Sequence, residues 1–408
     1  MQIEIDTVKG FRDFLPPESL KREKVREIIE KHFKLYGFSP VETPIIEHDE
    51  LMKPTSLPNE LEDEAVSDRF KLKDRAGRNL GLRYEFTFQL SRIFRQNPNI
   101  KLPFRRYQVG PVFRDEPIAN DRFRQFVQCD ADILGDSSIN ADAECLALVS
   151  DILKELKIES EIQINNRKLL SAIIESCEIS NSKEVIKEID KIEKIGEDTV
   201  KTNLRKYADS NKILTLFKLL EKDIQFFEDN AFDGASELLE LNTLCNKYGL
   251  KPKFNPCLAR GLGYYTGNIF EVKEKGKSTI AAGGRYDKMV GKFINREIPA
   301  VGISFGLERT TILANISFNP IPRISIISID KESESIKLAR KLRKENISCI
   351  VSKDKIGKSM EYANAYSIPY VIFLGEEEIE KGKLKIKNMK TGKEELLTEK
   401  QLIARFSD

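Results

Sequence analysis

The stretches FRRYQVGPVFRDE (residues 104–116) and RFRQFVQCDAD (residues 122–132) decide the fold of this chain. Both alternate apolar with polar side chains, and together they predict a strand, a hairpin loop and a second strand. Arg114 then lies near the end of the first strand and Arg122 at the start of the second, so two guanidinium groups can point at one ligand. One face of the returning strand carries an aromatic ring, an amide and two carboxylates: Phe126, Gln128, Asp130 and Asp132.

Arginine is concentrated around this hairpin. Between Arg83 and Gln125 the chain has eight arginines and one lysine, although lysine outnumbers arginine over the whole sequence. The guanidinium group is a planar fork that binds phosphate or carboxylate through two hydrogen bonds, which an ammonium group cannot do. The surplus therefore indicates a rigid site for a polyanion. The alternative is ordinary surface ion pairing, with these candidate partners: Glu85, Asp115, Glu116 and Asp121.

A second candidate site segment is LRYEFT (residues 82–87). Its pattern is typical of a strand, which would place Arg83, Glu85 and Thr87 on one face because strand side chains alternate. A carboxylate and a hydroxyl group on the same face can together receive an ammonium group. The segment therefore predicts a subsite for a cationic amine.

Length and composition exclude several classes of protein. The 408 residues predict roughly two or three domains. No segment approaches the about 18 consecutive apolar residues of a membrane helix, and the N-terminus lacks a secretion signal, so we expect a cytoplasmic protein. The six cysteines form no C-x-x-C pair, which argues against a zinc ribbon or a disulfide framework. Two histidines, His32 and His48, leave little for a metal site or a serine-hydrolase triad.

The N-terminal part predicts a helix followed by an edge strand. Residues 18–36 have apolar positions at helical spacing, and Gly37 fits a helix stop. In the segment 38–47, prolines on both sides of a strand-like Val41–Thr43 permit only an edge or interface position. We therefore expect this segment to contact a partner subunit.

Composition divides the rest of the chain. The segment 166–251 is rich in Lys, Glu, Leu and Ile and predicts an inserted helical domain. It interrupts a first domain that comprises residues 1–165 and 252–318. Residues 323–408 alternate strand and helix patterns, which predicts a small α/β module with a mostly parallel sheet. With 18 basic and 14 acidic residues, the segment 321–408 is mildly basic.

The hairpin resembles motif 2 of class II aminoacyl-tRNA synthetases. PAVGISFGLER (residues 299–309) is similar to their motif 3, and the segment 38–47 to motif 1, the dimer-interface element. Within this class, RGLGYYT (residues 260–266) resembles a signature of histidyl-tRNA synthetases, followed by the glycine-rich AGGRYD (residues 282–287). KGFRDFLP (residues 9–16) is similar to the opening of that family.

The resemblance implies an α+β fold and a specific reaction. The fold is an antiparallel-sheet catalytic domain with a helical insertion and a C-terminal α/β anticodon-binding module. The activity is histidine–tRNA ligation: ATP, accompanied by Mg²⁺, activates L-histidine to histidyl-adenylate, and the histidyl group passes to the 3′ end of tRNA(His). A homodimer through the segment 38–47 is also implied. We expect no metal ligands from protein side chains.

The resemblance also implies residue roles. Arg114 binds the α-phosphate and the amino-acid carboxylate region, Arg309 holds the γ-phosphate, and Arg260 stabilises charge on the α-phosphate during attack. The adenine is positioned by Glu116, Arg122 and Phe126. The α-amino group is bound by Glu85, Thr87 and Gln128. The imidazole nitrogens contact Tyr265 and Asp132, with Tyr264 beside them.

One position departs from the family pattern. The signature usually has Asp where this chain has Gly263, which removes a carboxylate able to hold Arg260. The alternative to an active enzyme is a catalytically silent paralogue that binds histidine or tRNA as a sensor. The presence of Arg114, Arg260, Arg309 and the C-terminal module favours the enzyme.

Overall fold

The computed structural model describes residues 5–52, 68–118, 123–260, 264–274, 278–294 and 296–406. The chain forms two compact units. One consists of Met1–Phe14 and Lys21–Ile316, and the other of Leu15–Leu20 and Ser317–Asp408. No helix among the described residues is long and apolar enough to cross a membrane.

The first unit is built on an eight-stranded sheet in the order β1-β5-β6-β11-β10-β9-β7-β8. Neighbouring strands are antiparallel except for the parallel edge pairs β1·β5 and β7·β8. The strands are β1 (Ser39–Pro40), β5 (Phe104–Phe113), β6 (Gln125–Leu134), β7 (Ser160–Asn166), β8 (Lys253–Phe254), β9 (Asn268–Glu274), β10 (Thr279–Arg285) and β11 (Ala300–Gly306). A separate three-stranded sheet contains β2 (Ile46–His48), β3 (Lys71–Lys73) and β4 (Asn79–Leu82).

The helices of the first unit pack against the sheet and against one another. They are α1 (Glu18–Leu35), α2 (Phe88–Gln96), α3 (Ile139–Glu155), α4 (Arg167–Ser176), α5 (Ser182–Ile189), α6 (Ile192–Ile195), α7 (Glu197–Leu204), α8 (Ser210–Leu219), α9 (Ile224–Asp229), α10 (Ala235–Lys247) and α11 (Leu307–Leu313). Two 3₁₀ turns span Asp49–Met52 and Val290–Ile294. The helices α4 to α10 lie in the predicted insertion and share one apolar core with the sheet.

The hairpin predicted from residues 104–132 is confirmed. Strands β5 and β6 pair in antiparallel register, with Arg106 opposite Asp132 and Gly110 opposite Gln128. Because β6 lies inside the sheet, between β5 and β11, its side chains alternate between the helix-covered core and the opposite face. Cys129, Ala131 and other apolar side chains of β6 lie in the core.

Two local predictions near the site are wrong. The strand at the sheet edge is Ser39–Pro40, and Val41–Thr43 forms no strand, although the Val41 N–H still donates to the carbonyl of Tyr107 at 2.9 Å. The segment 82–87 is not a strand after Leu82. Instead, the Glu85 carboxylate accepts the backbone N–H groups of Thr87 and Phe88, and the chain turns into α2.

The second unit contains a five-stranded sheet in the order β13-β12-β14-β15-β16. Its strands are β12 (Ile324–Ser328), β13 (Cys349–Ser352), β14 (Tyr370–Leu374), β15 (Leu384–Asn388) and β16 (Glu394–Leu397), and its helices are α12 (Glu332–Lys344), α13 (Ile356–Ala365), α14 (Glu376–Lys381) and α15 (Glu399–Phe406). The sheet is mixed: β13, β12 and β14 pair in parallel as predicted, whereas β15 and β16, which were not predicted, add to it antiparallel.

Candidate active site

A cleft opens on the face of the eight-stranded sheet opposite the helical core, with about 920 Å³ of empty space that includes its open mouth. Residues of β6, β10 and β11 line it, together with the segment 84–88 and with Arg260, Tyr264 and Tyr265. Nine of the residues predicted for the site line this cleft: Glu85, Thr87, Arg114, Phe126, Gln128, Asp132, Arg260, Tyr264 and Tyr265.

Glu85 is a buried carboxylate at the start of α2. Its Oε1 accepts the backbone N–H of Thr87 at 2.9 Å and that of Phe88 at 2.7 Å. Both are N–H groups at a helix N-terminus, where negative charge is stabilised. Burial is nevertheless the larger effect and raises the pKa of Glu85 to about 7. Ionised Glu85 is therefore destabilised by desolvation, and a bound ammonium group would offset this cost.

Gln128 has its amide group held by three neighbouring side chains. Its Nε2 donates to Ser304 Oγ at 2.9 Å and to the carboxylate of Asp130 at 3.1 Å, while its Oε1 accepts from Arg114 Nη2 at 3.3 Å. Asp130 is itself buried, and burial raises its pKa to about 6. The cleft therefore has a second buried carboxylate near Glu85.

Asp132 is the third buried carboxylate of the cleft. Its Oδ2 lies 2.7 Å from Nη2 of Arg106, whose side chain is fully buried, and its Oδ1 accepts from the hydroxyl of Tyr286. Burial raises the pKa of Asp132, and the Arg106 guanidinium opposes that rise. Gly302 faces Asp132 on β11, and a Cβ there would lie 2.0 Å from Oδ1. Only glycine leaves room for this carboxylate.

An aromatic cluster closes one end of the cleft. The ring centroids of Tyr264 and Tyr265 are 5.0 Å apart, and Tyr264 makes edge contacts with Tyr286 at 5.9 Å and Phe88 at 6.5 Å. Burial raises the pKa of Tyr265 to about 12, so its hydroxyl is a neutral donor and acceptor at physiological pH. This end can hold a flat polar ring.

Two arginines line the cleft. The guanidinium of Arg114 lies 4.2 Å from the ring centroid of Tyr84 and 5.0 Å from that of Phe126, within cation–π range of both. Arg260 has a left-handed backbone, with φ of 56°, and its Nη1 donates to Glu271 Oε1 at 3.0 Å. Glu271 lies on β9 and also accepts from Thr279 Oγ1.

Three predicted ATP-site residues are not among those that line the cleft. Arg309 lies next to it and donates to the carbonyl oxygen of Thr279, a cleft residue, at 2.6 Å. Glu116 accepts from the hydroxyl of Tyr84, another cleft residue, at 3.2 Å. Arg122 lies outside the described residues, as does Gly263.

Sequence reasoning missed several residues of the site. Arg106 was visible only as one of the clustered arginines, and Asp130 only as a residue on the same strand face as Gln128. Tyr84, Tyr286 and Ser304 lie in the segments quoted above but were assigned no role, and Thr279 lies outside them; only the folded sheet brings these chain-distant side chains to one cleft. Within the described residues, no three His, Cys, Asp or Glu side chains form a metal-binding group.

Comparison with known proteins assigns the family. The family model described as histidyl-tRNA synthetase matches residues 10–310, and the model described as anticodon binding domain matches residues 323–408. The chain belongs to the histidyl-tRNA synthetase family. It is 38% identical to histidine–tRNA ligase 1 of Bacillus cereus over 416 aligned positions, which cover 96% of this chain and 95% of that protein.

Solved structures agree with this family assignment. A histidyl-tRNA synthetase from Nostoc sp. covers 99% of both chains with a TM-score of 0.87 and 27% identity. A Bacillus halodurans structure titled ATP phosphoribosyltransferase regulatory subunit/histidyl-tRNA synthetase has a TM-score of 0.75 at 20% identity, covering 89% of this chain and 97% of that one, and shows the fold alone. The predicted family and fold class are therefore confirmed.

Proposed function

We propose how this ATP-dependent histidine–tRNA ligase uses its cleft: L-histidine and MgATP bind side by side and react to histidyl-adenylate and pyrophosphate, and a hydroxyl group at the 3′ end of tRNA(His) then takes the histidyl group as AMP leaves. One observation carries the proposal. Residues suited to an ammonium group, an imidazole and a phosphate line the same cleft, although they are distant in the chain.

The cleft suits histidine. Three buried carboxylates, those of Glu85, Asp130 and Asp132, line the cleft near the fully buried guanidinium of Arg106, so the cleft has an excess of acceptors for N–H groups. The α-ammonium group is assigned to Glu85, Thr87 and Gln128. The imidazole nitrogens are assigned to Asp132 and Tyr265, with Tyr264 packed beside the ring. An amino acid without matching N–H donors leaves these buried groups unpaired, which is costly.

The arginines suit the triphosphate. A carboxylate oxygen of histidine attacks the α-phosphorus, the bond to the β-phosphate oxygen breaks, and pyrophosphate leaves. Arg114 and Arg260 are assigned to the charge that develops on the α-phosphate, because fixed cations stabilise a transition state without reorganisation. Arg309 is assigned to the γ-phosphate, while Glu116, Arg122 and Phe126 are assigned to the adenine. Mg²⁺ enters with ATP on its phosphate oxygens.

Further partners complete the proposal. A second copy of the chain is assigned to the segment 38–47, in which Ser39 and Pro40 form the edge strand of the eight-stranded sheet and Ile45 and Ile46 are exposed. The anticodon of tRNA(His) is assigned to residues 323–408, whose mildly basic composition suits RNA. The cytoplasm is the assigned compartment, in keeping with six cysteines that are free thiols.

Histidine-dependent exchange of pyrophosphate into ATP tests the proposal. The full chain is expected to catalyse exchange with histidine, and Arg260→Ala is expected to reduce it by about 100-fold or more while the protein still folds. Exchange with another amino acid but not with histidine would contradict the assigned pocket. Tight histidine binding without exchange would instead indicate the silent sensor.

A further inference from the structure

The amide of Gln128 can adopt only one orientation in the folded protein. The guanidinium of Arg114 only donates hydrogen bonds, and the ionised carboxylate of Asp130 only accepts them. Gln128 therefore places its carbonyl oxygen towards Arg114 and its amino group towards Asp130, as observed at 3.3 Å and 3.1 Å. The reverse orientation would set donor against donor and acceptor against acceptor.

Both amide hydrogens of Gln128 are used in this arrangement. One donates to Asp130 and the other to Ser304 Oγ, which is directly opposite Asp130 in the register of β6 and β11. A carbonyl oxygen has two lone pairs, and Arg114 occupies one of them. What Gln128 can offer a ligand in the cleft is thus an acceptor and not a donor.

We propose that Asp130 is a positioning residue that fixes Gln128 as an acceptor, so that the cleft selects the α-ammonium group of the amino acid. Asp130 acts through Gln128 and needs no contact with the substrate. The Asp130 carboxylate is buried and accepts hydrogen bonds from Gln128 and Ser304, which suits that role. The inference rests on the proposed assignment of the α-ammonium group to Gln128.

Asp130→Asn tests the proposal. The asparagine keeps the shape of the aspartate, but its amino group can donate to Gln128, so the Gln128 amide is no longer held in one orientation. The dissociation constants of histidine and of imidazolepropionate, which is histidine without its α-amino group, are measured on the full chain by titration calorimetry. Loss of one charge-assisted hydrogen bond predicts about 10-fold to 100-fold weaker histidine binding, while imidazolepropionate binding changes little. The KM for ATP in pyrophosphate exchange is expected to stay within about two-fold of the wild-type value. The control is Asp151→Asn, which removes an exposed carboxylate on α3 and should leave all three quantities within about two-fold of wild type.

A double variant distinguishes the loss of Gln128 positioning from a general disruption of the site. Adding Gln128→Glu to Asp130→Asn exchanges the amide and carboxylate between the two positions, which restores an acceptor towards the cleft at unchanged net charge. We expect it to regain at least about ten-fold of the lost histidine affinity. Equal weakening of both ligands, or no recovery in the double variant, would overturn the proposal. A wild-type protein that binds both ligands equally would instead overturn the assignment of the α-ammonium group.

Discussion

Glu85→Gln is expected to stabilise the protein while it weakens histidine binding. Burial raises the pKa of Glu85 from its ordinary 4.5 to about 7, so the folded chain holds this proton more tightly than the unfolded chain. The free energy of unfolding therefore falls as the pH rises from about 4.5 through 7, and the full cost is present above pH 7. At about 1.4 kcal/mol per pKa unit, the ionised carboxylate costs about 3 kcal/mol.

The neutral glutamine removes this cost but still accepts the N–H groups of Thr87 and Phe88. At pH 8.5 we expect a gain of about 3 kcal/mol, which corresponds to about 6 °C in Tm for a folded unit of this size. At pH 5 the wild-type carboxyl is already protonated in the folded state, so the gain drops below about 1 kcal/mol. Differential scanning calorimetry at both pH values measures the difference.

Activity is expected to move in the opposite direction. Without the charged partner for the α-ammonium group, the KM for histidine in pyrophosphate exchange rises by about 10-fold to 100-fold. The wild-type KM for histidine is also expected to fall as the pH rises through 7, because Glu85 becomes ionised. Glu85→Gln lacks this carboxyl group and should not show that decrease. The control is Glu240→Gln on α10, which removes an exposed carboxylate and should change neither quantity. A Tm that drops equally at both pH values, or an unchanged KM, would refute the reasoning.

Three other changes test other parts of the site. Tyr286→Phe removes the hydroxyl that donates to Asp132 and should raise the KM for histidine by about ten-fold without changing the KM for ATP. Glu271→Gln weakens the hold on Arg260 and should lower kcat of exchange by about ten-fold at a nearly unchanged KM for histidine; a change in KM alone would speak against that role. Deletion of residues 323–408 should abolish charging of tRNA(His) but leave most of the exchange activity, and equal losses would contradict the division of labour.

The strands of the motif hairpin could be predicted because local patterning dictates them. In β6 the core residue Cys129 alternates with the cleft residues Gln128 and Asp130, and this alternation is visible in the sequence. Gly37, with φ of 78°, follows the end of α1 as predicted, although the helix ends at Leu35 and leaves out the half-buried Tyr36 that the prediction included. The same alternation placed Phe126, Gln128 and Asp132 in the site, whereas Arg260, Tyr264 and Tyr265 were assigned from the family resemblance.

Features that depend on particular hydrogen-bond or ion-pair partners could not be predicted. The segment 82–87 alternates like a strand, but Glu85 accepts two backbone N–H groups and turns the chain into a helix. The pairing of Arg106 with Asp132 depends on the register of β5 and β6, which cannot be read from the sequence alone. In the second unit, strands β15 and β16 were missed because they are short and rich in lysine and glutamate, which are uncommon in strands, although β15 lies inside the sheet and buries Leu384 and Ile386.

A crystal structure of the full chain with histidine and a non-hydrolysable ATP analogue tests the account most directly. It should place the α-ammonium group against Glu85 and the carbonyl oxygen of Gln128, the imidazole between Asp132 and Tyr265, and the α-phosphate within reach of Arg114 and Arg260. Histidine bound in the reverse direction, or a triphosphate that contacts neither arginine, would contradict it.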